Sequence, residues 1–267
     1  MPTSRRRALI VPREHGAWGI LLVPLATGAA VGLRAGGSAA GLAPLCIAAL
    51  ALFWLRTPVE SWLGASPIRA RTPDEFALVR RVAAVLSAIA TGAVVWLFAS
   101  GERWPLLGVG AAACVAFALQ YGVKRIWRTA RTAAQVVGAA GLTATAPAAY
   151  QVVTGRLDEA AWLLWAANFL FAGNQIHFVH VRIHAAQAAS RREKAQAGRW
   201  FLAGQAALAV GLAAYGAPAG LAFVPVLARG FAWFAAPPRP LAVHALGKSE
   251  LAHAIVFGVL LPLTMQV

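Results

Sequence analysis

Apolar residues run through this sequence in long blocks rather than in alternation with polar ones. A helix crossing about 30 Å of hydrocarbon uses roughly 20 mostly apolar residues, with about 17 as the lower limit. Nine blocks approach that length and predict spanning helices at about 17 to 33, 38 to 55, 82 to 100, 104 to 121, 136 to 153, 160 to 181, 200 to 215, 218 to 234 and 251 to 267. The seventh is short and the fifth only weakly hydrophobic. Spanning strands would show segments of alternating polarity, whereas these blocks are apolar all round. The predicted fold class is therefore all-α: a polytopic membrane helical bundle of about nine transmembrane helices, forming one domain over residues 1–267 behind a short N-terminal segment, 1–15.

The breaks between blocks carry charge, Pro or Gly, as at Arg56-Thr57-Pro58, Gly101-Glu102-Arg103 and Thr154-Gly155-Arg156. Gly216-Ala217-Pro218 alone separates the seventh block from the eighth and permits a tight reversal. Small residues such as Gly138, Gly141 and Ala144 predict close helix-to-helix approach. The connections after the second and sixth helices are the longest on their side, and a four-helix internal repeat would make them equivalent. No residue-level repeat accompanies them.

Composition agrees with the bilayer as solvent: 60% of the residues are hydrophobic and 12% charged, against about 25% charged in a soluble domain. A net charge of +15 would suggest nucleic acid in a soluble protein. Here the basic residues lie between apolar blocks, so nucleic acid is not the expected partner. Cys46 and Cys114 fall inside apolar blocks and are expected to be buried, reduced and inert. The start, Ser4-Arg5-Arg6-Arg7, has a twin arginine, but Arg13-Glu14-His15 interrupts any signal-type apolar region, so the segment is expected to be kept.

Lys and Arg are retained on the cytoplasmic side of a membrane. With nine helices, all but three of the 24 basic residues fall on one side, leaving Arg34, Arg103 and Arg156 on the other. The expected topology is multi-pass in a bacterial cytoplasmic (inner) membrane, with a cytoplasmic N-terminus and an extracytoplasmic C-terminus.

Charge also marks candidate chemistry, because ionisable groups at the edge of hydrocarbon are costly unless paired or hydrated. Arg13, Glu14, His15 and Trp18 meet the membrane together in Arg-Glu-His-Gly-Ala-Trp, followed by Leu21-Leu22-Val23-Pro24. They are either an interfacial anchor or part of a site. Near the C-terminus, Leu246-Gly247-Lys248-Ser249-Glu250-Leu251 opens the last helix, and His253 lies one turn past Glu250, close enough to share a hydrogen bond. These two stretches resemble the opening signature and the final Gly-x-x-Glu segment of the YwiC-like family of bacterial membrane proteins, a family without a settled activity.

The sixth block ends in Asn174-Gln175-Ile176-His177-Phe178-Val179-His180-Val181-Arg182-Ile183-His184. At about 100° per residue, His177, His180 and His184 fall within roughly 60° of one another, with Asn174 at the border. Such a stripe in a membrane helix faces a cavity or a helix interface. It suits proton relay, an anionic head group held together with Arg182, or, through His180 and His184 at i and i+4, a transition metal. A second segment to complete the metal set is not evident.

Nine helices with prominent connections after the second and sixth also resemble UbiA-type intramembrane prenyltransferases. In that superfamily Asp-rich motifs in those connections hold magnesium on an isoprenoid diphosphate, and oxygen ligands suit that hard ion. Here the first connection offers Glu60, Asp74 and Glu75 without that spacing, and the second offers Glu193 alone. Magnesium is therefore not expected, no other cofactor is identified, and catalysis is left open. Arginines such as Arg56 and Arg182 can instead grip phosphate directly. The expected ligand, besides membrane lipid, is an isoprenoid or other phosphorylated amphiphile in a cytoplasm-facing cavity. A proton-coupled transporter and a metal- or haem-associated protein are the alternatives.

Overall fold

The computed structural model of the chain describes residues 3–12, 15–64, 66, 68–101, 103–126, 131–238 and 240–266, with the backbone alone at 3, 4, 15 and 131. Among them are twelve α-helices: α1 (Thr3–Ile10), α2 (His15–Arg34), α3 (Leu42–Trp62), α4 (Pro73–Ala99), α5 (Pro105–Ile126) and α6 (Arg131–Thr143) in the first half. The second half holds α7 (Thr145–Thr154), α8 (Glu159–His184), α9 (Arg191–Ala197), α10 (Arg199–Tyr215), α11 (Val224–Ala235) and α12 (Val243–Thr264). Short 3-10 segments stand at Ala39–Gly41, Ala185–Gln187 and Pro218–Phe223. No strand occurs among the described residues.

All nine apolar blocks are helical. Seven stretches are long and apolar enough to cross a membrane: the helices α2 and α3, α4, α5, the α6–α7 pair, the Pro218–Ala235 stretch and α12. Beside them, α8 has the length, 26 residues, but carries polar side chains from Asn168 to His184, and α10 has 17 residues. The chain is an all-α, multi-pass helical membrane bundle.

Helix boundaries depart from the apolar blocks where polar chemistry continues a helix. Thr72 caps α4 by accepting from the Glu75 amide, while Glu75 accepts from the Arg71 amide, a reciprocal arrangement of the capping-box kind. With Pro73 in the first turn, this starts α4 nine residues before its apolar block. The expected break at Arg56-Thr57-Pro58 is absent: α3 runs through Pro58 to Trp62. A proline inside a membrane helix is tolerated where neighbours satisfy the freed backbone groups.

The weakly hydrophobic fifth block is the best buried. Of its most apolar window 78% lies inside the bundle, against 17% for α4 and for α5. Helices facing lipid must be apolar outward, as Val85, Ile89, Val95 and Trp96 of α4 are; one enclosed by protein can carry small and polar residues instead. The block is also divided, ending as α6 at Thr143 and resuming as α7 at Thr145. Thr145 Oγ1 donates to the carbonyls of Leu142, at 2.8 Å, and Leu21 of α2, at 3.1 Å, stitching the break.

The central pairing is α2 with α7. A Cβ at Gly28 would stand 2.1 Å from the Ala146 carbonyl oxygen, so only glycine permits this approach. Asn168 of α8 donates to Thr27 Oγ1 at 3.0 Å beside it. Around this centre α3 packs with α4, α5 with α6, and α12 against α2. Arg34, ending α2, donates to the Met265 carbonyl just past α12, so those two helices finish at the same end of the bundle. At the opposite end, Thr132 of α6 meets His180 of α8 at 2.9 Å. The basic loops gather at that second end.

Candidate functional site

At the basic end, the last turns of α8 and α11 meet the first turns of α12. Arg229 projects from α11, Glu250 from α12, and Asn174, Phe178 and Arg182 rise from α8 at intervals of four residues, which stack along one helix face. Arg229 Nη1 donates to Glu250 Oε2 at 2.5 Å, Nη2 donates to Asn174 Oδ1 at 3.2 Å, and the guanidinium lies 4.1 Å from the centre of the Phe178 ring. Gln175 Nε2 donates to the Glu250 carbonyl at 2.8 Å and fixes the start of α12 against α8. The Arg229 and Glu250 side chains are 9% and 13% exposed. Their remaining polar atoms, Arg229 Nε and Glu250 Oε1, are buried without a partner among the described residues.

Arg229 of this pair lines a cavity of about 370 Å³, together with Arg182, Phe178, Trp233 and Ser249 among others. Arg182 stands between the Phe178 and Trp233 rings, its guanidinium carbon 5.9 Å and 5.8 Å from their centres. Among the described residues no hydrogen bond or ion pair reaches it. Below Trp233, Lys194 of α9 donates to the carbonyls of Trp233 and Ala236, and sits 4.2 Å from the Trp233 ring centre. That cation caps the end of α11, where exposed carbonyls and the helix dipole attract positive charge. Two cations, Arg182 and Arg229, thus line the open volume, with Glu250 paired to Arg229.

The residues singled out in the sequence divide among several places. Glu250 and Arg182 come together here. His253 bonds through Nδ1 to the Ser249 carbonyl, at 2.7 Å, rather than to Glu250. The histidine stripe splits: His180 and His184 stack with ring centres 4.9 Å apart, His180 turned to Thr132, whereas His177 makes an edge contact with Phe201 of α10. Trp18 packs against Phe53 of α3, with ring centres 4.7 Å apart. Arg13, Glu14 and the side chain of His15 lie outside the described residues. No group of three or more His, Cys, Asp or Glu converges as a metal set among the described residues. The two cysteines are unpaired, and Cys114, expected to be buried, is exposed on α5, one of the least buried spanning helices.

Arg56 belongs to a second ionic cluster. It donates to Glu60 Oε1 at 3.0 Å, one turn along α3, and Lys124 of α5 reaches the same oxygen at 3.4 Å. Nearby, Arg5 of α1 pairs with the buried Glu75 at 2.8 Å, and the carboxylate holds the Arg5 guanidinium above its ordinary pKa through that hydrogen bond. These contacts fasten α1 to α4 and α3 to α5.

Arg229 was missed as a site residue because it counted among the loop cations that set topology. The signal that identifies it was available: it lies inside the 218–234 apolar block rather than beyond its end, and an ionisable residue within such a block marks a site.

The sequence model of the family described as YwiC-like protein matches residues 11–150, just over half of the chain. No curated protein and no solved structure matches. The chain belongs to the YwiC-like family.

Proposed function

We propose that this YwiC-like membrane protein binds the anionic head of a phosphorylated amphiphile in the cavity between α8, α11 and α12. The observation that carries this reading is Arg182: a guanidinium held between two aromatic rings at the cavity wall, with no carboxylate of its own. Glu250 already neutralises Arg229 and keeps it straight. An incoming phosphate would take the open side of Arg182 in a bidentate grip and approach Arg229 Nε, the donor that lacks a partner. The aromatic walls favour an apolar chain continuing into the membrane.

The basic end faces the cytoplasm in this reading, and the protein sits in a bacterial inner membrane with its N-terminus inside and its C-terminus outside, since nearly all Lys and Arg lie at that end. Anionic lipid of the inner leaflet would then be within reach of the cavity. Binding is direct, cation to phosphate, because the one carboxylate beside the cavity among the described residues is occupied by Arg229.

Equilibrium binding of radiolabelled dodecyl phosphate to the purified full chain in phosphatidylcholine nanodiscs tests this. Saturable binding, displaced by unlabelled dodecyl phosphate and not by dodecanol or dodecyltrimethylammonium, is expected. Non-saturable partitioning, or equal displacement by all three, overturns it.

A further inference from the structure

Asn174, which accepts from Arg229, also borders a separate space on α8. There α8 and α10 stand apart and leave a pocket of about 240 Å³ lined by Asn174, His177, Phe201 and Gln205 among others. Farther toward the other end lies a larger, open-sided cavity of about 520 Å³, bordered by α8, α10, the 218–223 segment and the end of α12. Leu170 and Leu208 line both, so the two adjoin end to end as a slot along α8. From Leu163 to His177 the slot follows 14 residues of α8, or about 21 Å at 1.5 Å per residue. No Asp, Glu, Lys or Arg lines either part among the described residues.

One end of this slot is polar in a specific way. Gln205 is 1% exposed, yet neither its amide nitrogen nor its amide oxygen has a partner among the described residues. Gly230 of α11 packs against this amide, where a Cβ would come within 2.5 Å of Gln205 Nε2, so the approach of α10 and α11 beside the pocket depends on glycine. A buried amide left unpaired is destabilising and is ordinarily matched by a donor and an acceptor. His177 lines the same pocket and supplies a second neutral hydrogen-bonding group.

We infer that this slot is a second binding site, for a linear hydrocarbon chain ending in an uncharged oxygen such as a hydroxyl. The hydroxyl both donates and accepts, which matches Gln205, and the chain lies along the apolar slot. A charged head would be desolvated there without a counter-ion. This inference does not rest on the phosphate reading, since the arginine cavity and the slot share no lining residue.

The test is photolabelling of the full chain in phosphatidylcholine nanodiscs with a diazirine-bearing hexadecanol, followed by peptide mapping. Labelling concentrated on α8 and α10, displaced by excess hexadecanol but not by hexadecyl phosphate, is expected. Gln205→Leu should weaken that displacement about tenfold, the scale of a lost buried hydrogen bond. Gly211 lines the slot, and a Cβ there meets nothing within 4 Å, so Gly211→Phe directs a ring into the slot and should abolish the labelling. Arg182→Ala should leave it unchanged. Labelling spread over the lipid-facing helices α4 and α5, equal displacement by the phosphate, or persistence in Gly211→Phe overturns the inference and signifies bulk lipid alone.

Discussion

Two ionic clusters stand at the same end of the bundle, and they differ in what surrounds them. Around α3, Glu60 is shared between Arg56 and Lys124, and Glu75 takes Arg5. Lys124 and Arg5 there are 33% and 32% exposed, so each pair keeps one partner in reach of solvent even though Glu75 itself is buried. Around α12 the Arg229–Glu250 pair is enclosed, is braced by an aromatic ring and an asparagine, and borders a cavity with a further arginine facing it. Both clusters obey the same charge rule, yet the first fastens helices and the second leaves cationic capacity directed at an open volume. A count of basic residues does not separate them; burial and vacant hydrogen-bonding capacity do.

The largest effect that can break this contrast is loss of one member of the enclosed pair. Glu250→Leu leaves the Arg229 charge buried and unmatched, and should lower stability by about 3–5 kcal/mol. The double variant Arg229→Met/Glu250→Leu should recover most of that loss, because the uncompensated charge goes with it. Thermal unfolding of the purified protein checks both. A single variant no worse than Glu60→Leu would place the two clusters in one class.

Arg182→Ala tests the vacant cation, and its effect should appear in binding rather than folding. Dodecyl phosphate affinity should fall about tenfold or more, since a charge-assisted hydrogen bond contributes roughly 1.5–3 kcal/mol. The unfolding temperature should change little, as no carboxylate loses its partner. Smallest of all, Arg56→Ala should cost about 0.2–1 kcal/mol in unfolding, because Lys124 still pairs with Glu60, with dodecyl phosphate affinity unchanged.

Helix positions were legible in the sequence because hydrocarbon imposes one requirement on every spanning segment, and each of the nine apolar blocks is helical. What stayed hidden were features that depend on neighbours. The α6–α7 break at Ala144 is marked in the sequence by Pro147, which cannot continue the helix ladder back to Thr143, but how it closes is not: Thr145 reaches the Leu21 carbonyl of a distant helix. Pro58 announces a break that does not form. Glu250 and Arg182 could be singled out because an ionisable residue near an apolar block stands out at once. Helical periodicity put the three histidines on one stripe, but tertiary contacts draw His177 to α10 and His180 to α6, a choice no single-helix projection contains. Gln205, uncharged and lacking a motif, becomes notable only once its amide is found buried without a partner.

The most direct measurement is the dissociation constant of dodecyl phosphate for three proteins side by side in phosphatidylcholine nanodiscs: the unaltered chain, Arg182→Ala and Arg56→Ala. The enclosed cluster as a head-group site predicts weakening of about tenfold or more for Arg182→Ala and none for Arg56→Ala. Equal weakening in the two variants, or none in either, would contradict it, since the phosphate would then be responding to the general positive charge of this membrane face rather than to the cavity.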